Sequence, residues 1–238
     1  MAPPSERSRT ALITGANRGI GLETARQLAA RGWRVMACAR QSPFPKAARS
    51  TLLAANPHTL FTPLDLNDPS SIDALALRLD QSFPSLDLLI NNAAILKDRD
   101  ESIRDIGLEI IETTFRVNTV GPIRVTRACL PALQRADTPL VINVSSAAGS
   151  LTEMRDWAPA YSLSKTALNA VTRQFALTLG KEGIAVCCLS PGWVRTAMGG
   201  PGANRSVEDA AGSIVQLLDE EPKTLNGRFL RDGKDLPW

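Results

Sequence analysis

Residues 10–21 read Thr10-Ala11-Leu12-Ile13-Thr14-Gly15-Ala16-Asn17-Arg18-Gly19-Ile20-Gly21. An apolar strand-like run, Ala11–Thr14, ends on a glycine-rich turn, and a helical pattern, Gly21–Arg31, follows at once. Glycines permit the tight turn and let backbone N–H groups approach a pyrophosphate, while the helix N-terminus adds a favourable dipole. A glycine-rich turn alone says little. Here a strand precedes it, a helix follows it, and it opens the chain, which is the context a phosphate loop requires. The spacing is Thr-Gly-xxx-Gly-x-Gly rather than G-x-G-x-x-G.

Downstream of that loop, apolar runs and helical patterns keep alternating. Strands are expected at Trp33–Ala39, Thr59–Pro63, Leu86–Asn91, Leu140–Ser145, Ile184–Ser190 and Arg228–Leu230. Helical periodicity marks Ser70–Phe83, Ile103–Leu133, Ala160–Gly180 and Val207–Leu218. The early strands are apolar throughout rather than alternating, as strands covered on both faces are. The expected fold is α/β, a doubly wound parallel sheet with right-handed crossovers and helices on both faces. Residues 10–238 read as a single domain, and residues 1–9, polar with Pro3 and Pro4, as a flexible tail rather than a signal peptide. The Gly/Pro cluster at 192–204 is too long for a simple turn and would leave the carboxyl end of a strand, where such sheets bind ligands.

Composition narrows the function classes. The chain has 238 residues, 44% of them hydrophobic and 21% charged, which suits one core and a soluble surface. The net charge of +3 is mild and carries no basic block, so nucleic acid is not implied. No apolar run approaches the ~20 residues of a membrane span. Cys38, Cys129, Cys187 and Cys188 lack metal-type spacing and read as buried thiols of a reducing compartment, here the cytoplasm. Adjacent Cys187 and Cys188 in a strand point to opposite faces. The single histidine, His58, excludes a multi-histidine metal site, and no metal is expected.

The second strand ends Ala39-Arg40, where an NAD-binding sheet usually places an acidic residue for the ribose hydroxyls. A guanidinium suits a phosphate instead, and Arg18 in the loop offers a second positive charge, so NADP(H) is the expected cofactor. The sole tyrosine, Tyr161, lies four residues before Lys165. On a helix that spacing places phenol and ammonium on one face, and a nearby cation favours the phenolate. A lowered phenol pKa is therefore expected, which suits proton exchange with a carbonyl oxygen or an alcohol.

Taken in order, the glycine loop, Asn91-Asn92-Ala93-Ala94, Asn118, Ser145-Ser146, Tyr161-xxx-Lys165 and Pro191-Gly192 resemble the short-chain dehydrogenase/reductase superfamily in its single-domain branch. The resemblance covers the chain from about Thr10 onward. Residues 191–200 and the ending Gly227–Leu230 with Leu236-Pro237-Trp238 are similar to C-factor-like and Sniffer-like carbonyl reductases. This implies a Rossmann fold with a seven-stranded parallel sheet. It implies Tyr161 as acid/base, with Lys165 lowering its pKa and holding the nicotinamide ribose. Ser146 is implied to hydrogen-bond the substrate oxygen, and Asn118 to hold a proton-relaying water. Gly15, Asn17, Arg18, Gly19, Ile20, Gly21 and Arg40 would take the phosphates. Asp65 and Leu66 would border the adenine, and Asn92 and Ala93 the adenosine side. Val194 and Thr196 would border the nicotinamide carboxamide, and Pro191 and Gly192 are further cofactor-binding positions. The activity implied is hydride transfer between NADPH and an aldehyde, ketone or quinone, or the reverse on a secondary alcohol.

Two positions depart from the pattern. Ala94 stands where the family usually has glycine, and Ser146 lies fifteen residues before Tyr161, farther than is usual. The longer loop leaves open whether Ser145 or Ser146 faces the substrate; Ser146 is chosen because Ala147-Ala148-Gly149 follows it. Met154, Trp157, Trp193 and Met198 are the expected substrate-pocket residues and suit an apolar or aromatic carbonyl compound. Arg155 and Arg195 offer a carboxylate partner as readily as a solvated surface. The patterns at 103–133 and 160–180 resemble the helices that pair subunits in this family, implying a homodimer or homotetramer, with a monomer left open. A cofactor-sensing protein with little turnover is the competing reading, and the complete Asn-Ser-Tyr-Lys set argues against it.

Overall fold

The computed structural model describes residues 8–238. Eight strands form one sheet: β1 (Thr10–Thr14), β2 (Arg34–Ala39), β3 (Leu60–Pro63), β4 (Leu88–Asn91), β5 (Leu140–Val144), β6 (Ala185–Leu189), β7 (Phe229–Arg231) and β8 (Lys234–Asp235). Their spatial order is 3-2-1-4-5-6-7-8. The first seven are parallel, as expected, and β8 adds a two-residue antiparallel edge after the turn at Asp232-Gly233. The order reverses between β1 and β4, and at such a switch point the carboxyl ends of strands open a crevice.

The helices are α1 (Gly19–Ala30), α2 (Lys46–Ala55), α3 (Pro69–Ser82), α4 (Leu108–Phe115), α5 (Gly121–Leu133), α6 (Pro159–Leu179), α7 (Val207–Gln216) and the short α8 (Pro222–Leu225). Alternate residues of the central strands enter two separate cores. Ala11, Ile13, Val35, Ile90, Ile142 and Cys187 join Leu28 of α1 and Ile214 of α7. Leu12, Met36, Leu89, Val141 and Val186 join Leu75 and Leu79 of α3 and Val125 of α5. This is why the strands read as apolar throughout. Cys187 and Cys188 diverge to opposite faces, and all four thiols are free and buried.

Three expectations change. The helical pattern 103–133 is not one helix: α4 and α5 flank a π-helical turn, Arg116–Val120, which carries Asn118. Helix α2 went unrecognised because its segment, KAARSTLLAA, buries only Ala48 and Leu52. Of the expected tail 1–9, residues 1–7 lie outside the described residues. Arg9 is anchored rather than loose: its carbonyl accepts from the Arg34 N–H at 2.9 Å and its guanidinium lies over Trp33. Among the described residues no helix is long and apolar enough to cross a membrane.

Candidate active site

A cleft of about 2060 Å³ opens over the carboxyl ends of the strands. Its walls contain every expected site residue except Asn118. At the β1 end, Gly15 and Gly19 adopt left-handed backbone conformations, with φ of 69° and 54°. A side chain at Gly21 would collide with the Gly15 carbonyl and the Asn92 amide. Asn92 itself donates to the Thr14 and Gly15 carbonyls, and the Thr14 hydroxyl accepts from the Asn92 and Ala93 N–H groups at 3.0 Å. Helix α1 starts at Gly19 with no side-chain cap and no acidic residue in its first turn. Its leading N–H groups are thus left for an anion, and the cradle fits a pyrophosphate. Arg18 and Arg40 lie exposed on the same wall, neither spent in an ion pair among the described residues, with Asp65 and Leu66 beside them on the β3 side. These observations fit a phosphorylated dinucleotide.

At the opposite end, α6 brings Tyr161 and Lys165 to the cleft floor, both buried. The Lys165 ammonium donates to the Val144 carbonyl of β5 at 2.7 Å and sits 5.7 Å from the Tyr161 ring centre. The expected lowering of the phenol pKa is corrected. Burial pushes Tyr161 up to about 12, with the Ser146 hydroxyl pulling the other way. Burial likewise brings Lys165 down to about 8. Withdrawal from water penalises both charged forms and outweighs the opposing pulls of Ser146 on Tyr161 and of Cys188 on Lys165.

The two serines point in different directions. Ser145 is turned into the protein, donating to the Asn169 side chain at 2.6 Å, whereas Ser146 accepts from the Ala148 N–H at 3.2 Å and lines the cleft with Tyr161, whose pKa it pulls down. Asn118 is completely buried, and its amide is engaged elsewhere than at Lys165. Its oxygen accepts from the Ile95 N–H, and its nitrogen donates to the Ile95 carbonyl and the Ser164 hydroxyl. It thereby fixes the loop after β4 that lines the cleft.

Two loops cover the substrate end. Residues 150–158 carry Met154 and Trp157, and the Trp157 ring meets Tyr161 edge-on at 6.0 Å. Residues 192–204 are folded on themselves, with Arg195 and Arg205 exchanging backbone bonds with their surroundings and Trp193 donating to the Gly199 carbonyl at 2.8 Å. Arg195 donates from its guanidinium to the Ala203 carbonyl at 3.2 Å, which ties the ends of this loop together. Thr196 faces Gly19 across the cleft, and Val194 forms a bridge with Arg205.

Sequence reasoning missed two residues. Arg99 lies over the Trp157 ring and donates to the Met198 carbonyl, joining the two covering loops. Asp98, fully buried, accepts from the Ala160 and Tyr161 N–H groups and so caps α6 at the tyrosine. Both sit in Lys97-Asp98-Arg99-Asp100, a charge run that reads as solvated surface.

Residues 9–205 match the family model for short chain dehydrogenases. The chain belongs to the short-chain dehydrogenase family. It is 37% identical over 155 residues to the C-signal protein of Myxococcus xanthus, covering 64% of this chain and 93% of that protein. Among solved structures it resembles an NADPH-bound carbonyl reductase from chicken fatty liver, with 33% identity, a TM-score of 0.88, and coverage of 98% of this chain and 100% of the other. The carbonyl reductase Sniffer of D. melanogaster superposes with the same TM-score at 29% identity, covering 98% and 100% of the two chains. The family and the two-sided sheet agree with the expectations drawn from sequence.

Proposed function

We propose that this chain is an NADPH-dependent carbonyl reductase acting on an apolar or aromatic aldehyde, ketone or quinone. The observation that carries this is the meeting of Ser146, Tyr161 and Lys165 at the floor of a cleft whose other end is an anion cradle. The NADPH in the chicken carbonyl reductase structure supports the cofactor, as do Arg18 and Arg40. The Gly15–Gly21 turn and the uncapped start of α1 would hold the pyrophosphate. Lys165 would hold the nicotinamide ribose, with Pro191, Gly192, Val194 and Thr196 around the ring.

When bound, the reduced nicotinamide supplies the hydride. The protein's task is to fix the carbonyl and manage charge on its oxygen. Ser146 donates a hydrogen bond to that oxygen, and Tyr161, protonated at neutral pH, delivers the proton. Lys165, mostly charged below about pH 8, steadies the phenolate left behind. Trp157 walls the reacting centre and excludes water. Asn118 acts in this scheme by holding the 95–97 loop. Exposed Leu108, Leu163 and Leu177 on α4 and α6 support pairing of subunits through those helices, as a homodimer or homotetramer.

The test is NADPH oxidation with aromatic aldehydes, ketones and quinones, with NADH in parallel and Tyr161→Phe as control. Turnover that prefers NADPH and vanishes in the variant is expected. Tight NADPH binding without turnover on any of these carbonyls, or turnover retained by Tyr161→Phe, overturns the assignment.

A further inference from the structure

We propose that Asn169 is a positioning residue that holds the Ser146 hydroxyl against Tyr161 by tying the end of β5 to α6. The inference rests on the acid/base reading of Tyr161 and Ser146 above.

Asn169 lies one helical turn beyond Lys165 and two beyond Tyr161, on the same buried face of α6. Its carboxamide spans the segment that carries Ser146. The Oδ1 atom accepts from the Ser145 hydroxyl at 2.6 Å, one residue before Ser146. The Nδ2 group donates to the Gly149 carbonyl at 3.1 Å, three residues after it. Cys188 of β6 donates weakly to the same Oδ1 at 3.5 Å. Every atom of the carboxamide is thus matched to a partner of the right polarity, and Asn169 is 3% exposed.

Gly149 completes the clamp. A Cβ there would stand 2.7 Å from the Lys165 carbonyl carbon, so only glycine lets the 3-10 turn Ala147–Gly149 lie directly on α6 at the lysine. Other bonds of the segment, from Ser145 N–H to the Leu189 carbonyl and from Ala147 N–H to the Ser190 hydroxyl, tie it to β6 and its following residue. The Lys165 ammonium reaches the same strand end one residue earlier, at the Val144 carbonyl, 2.7 Å away. Asn169 adds the two bonds that bracket Ser146 itself, at Ser145 and at Gly149, and with them the approach of Ser146 to Tyr161.

The clamp also explains how the long Ser146-to-Tyr161 spacing is tolerated. The clamp ends at Gly149, so the extra length can be taken up in the connecting chain beyond it, residues 150–158. The Ser146 hydroxyl counters the burial-raised pKa of Tyr161, so its displacement has a titration signature.

The experiment is a double-mutant cycle of Asn169→Ala and Ser146→Ala, read by kcat and by the pH dependence of alcohol oxidation with NADP⁺. Asn169→Ala is expected to lower kcat about tenfold. It should shift the limb governed by Tyr161 to higher pH, as Ser146→Ala does, while NADPH affinity stays unchanged. In the Ser146→Ala background it should cost under about twofold, because the group it positions is already gone. Ser145→Ala, a smaller excision on the other side of the same bond, should move the profile the same way and guards against a misfolded Asn169→Ala. Because Tyr161 is the sole tyrosine, tyrosinate absorbance after a rapid pH jump reads the coupling without turnover. Additive losses, or an unshifted titration in Asn169→Ala and Ser145→Ala with only a lowered melting temperature, overturn the proposal. Tyr161→Phe run alongside separates the cases. Retained turnover there refutes the acid/base reading, whereas lost turnover with an additive cycle refutes only the role of Asn169.

Discussion

Tyr161 and Lys165 show how spacing and environment can push in opposite directions. Four residues apart on α6, they attract, yet each is buried and each is driven toward its neutral form. The consequence for stability has a definite sign. Lys165 titrates near 8 when folded and near its ordinary 10.5 when unfolded. Between those values the unfolded chain holds more protons, so stability rises with pH across the window. Below about pH 8 the folded state carries the full penalty. Lys165→Met removes it, so the melting temperature of the variant relative to wild type is expected to be higher at pH 7 than at pH 10. Thermal unfolding of the cofactor-free protein at both pH values checks this, and a difference that grows toward pH 10 contradicts it. Arg40→Ala is expected to weaken NADPH about tenfold while barely affecting NADH, since only the former offers a phosphate to the guanidinium. Fluorescence titration with both nucleotides measures the ratio, and equal losses would place Arg40 outside the cofactor site.

Among the elements, the break between α4 and α5 matters most to the site. A straight helix through 108–133 satisfies the periodic pattern, but the π-turn at Arg116–Val120 inserts an extra residue and swings Asn118 toward Ile95. Such insertions cost helix geometry and are concentrated at functional positions. Asn118→Leu would strand the Ile95 N–H and carbonyl in the interior, at a cost of about 1–3 kcal/mol. The loop lining the cleft should slacken with it, so a lowered melting temperature together with weakened NADPH binding is expected. Loss of stability with unchanged affinity would show that the loop is held by other means.

For the molecule as a whole, the C-terminal segment reaches back to the substrate end. The Trp238 carbonyl accepts from the Leu151 N–H at 3.1 Å and the Ser150 hydroxyl, and its ring packs on Phe229 beneath Arg173. Those contacts anchor the start of the loop carrying Met154 and Trp157. Removing residues 236–238 is expected to raise KM for the carbonyl substrate severalfold and leave NADPH affinity intact. Steady-state kinetics on the shortened chain decide it; a change confined to the cofactor would assign the segment elsewhere. The cap on Tyr161 and this anchor come from segments remote in sequence from the residues they hold.

The sheet, its two covered faces, the glycine-rich turn after β1 and the Tyr-Lys pair were legible from sequence because they are local. Period, glycine placement and a four-residue spacing are properties of a short stretch of chain, and the family resemblance reinforced them. The Cys187–Cys188 divergence followed from strand pleat alone. Helix α2 was not legible because it buries only Ala48 and Leu52 and so shows little period, and the π-turn and the parts played by Asp98, Arg99 and Asn169 were not because each depends on a partner far away in the chain. The pKa of Tyr161 belongs with them. Charge proximity can be counted along a helix, but desolvation is the sum of everything packed around the group, and that exists only once the chain has folded.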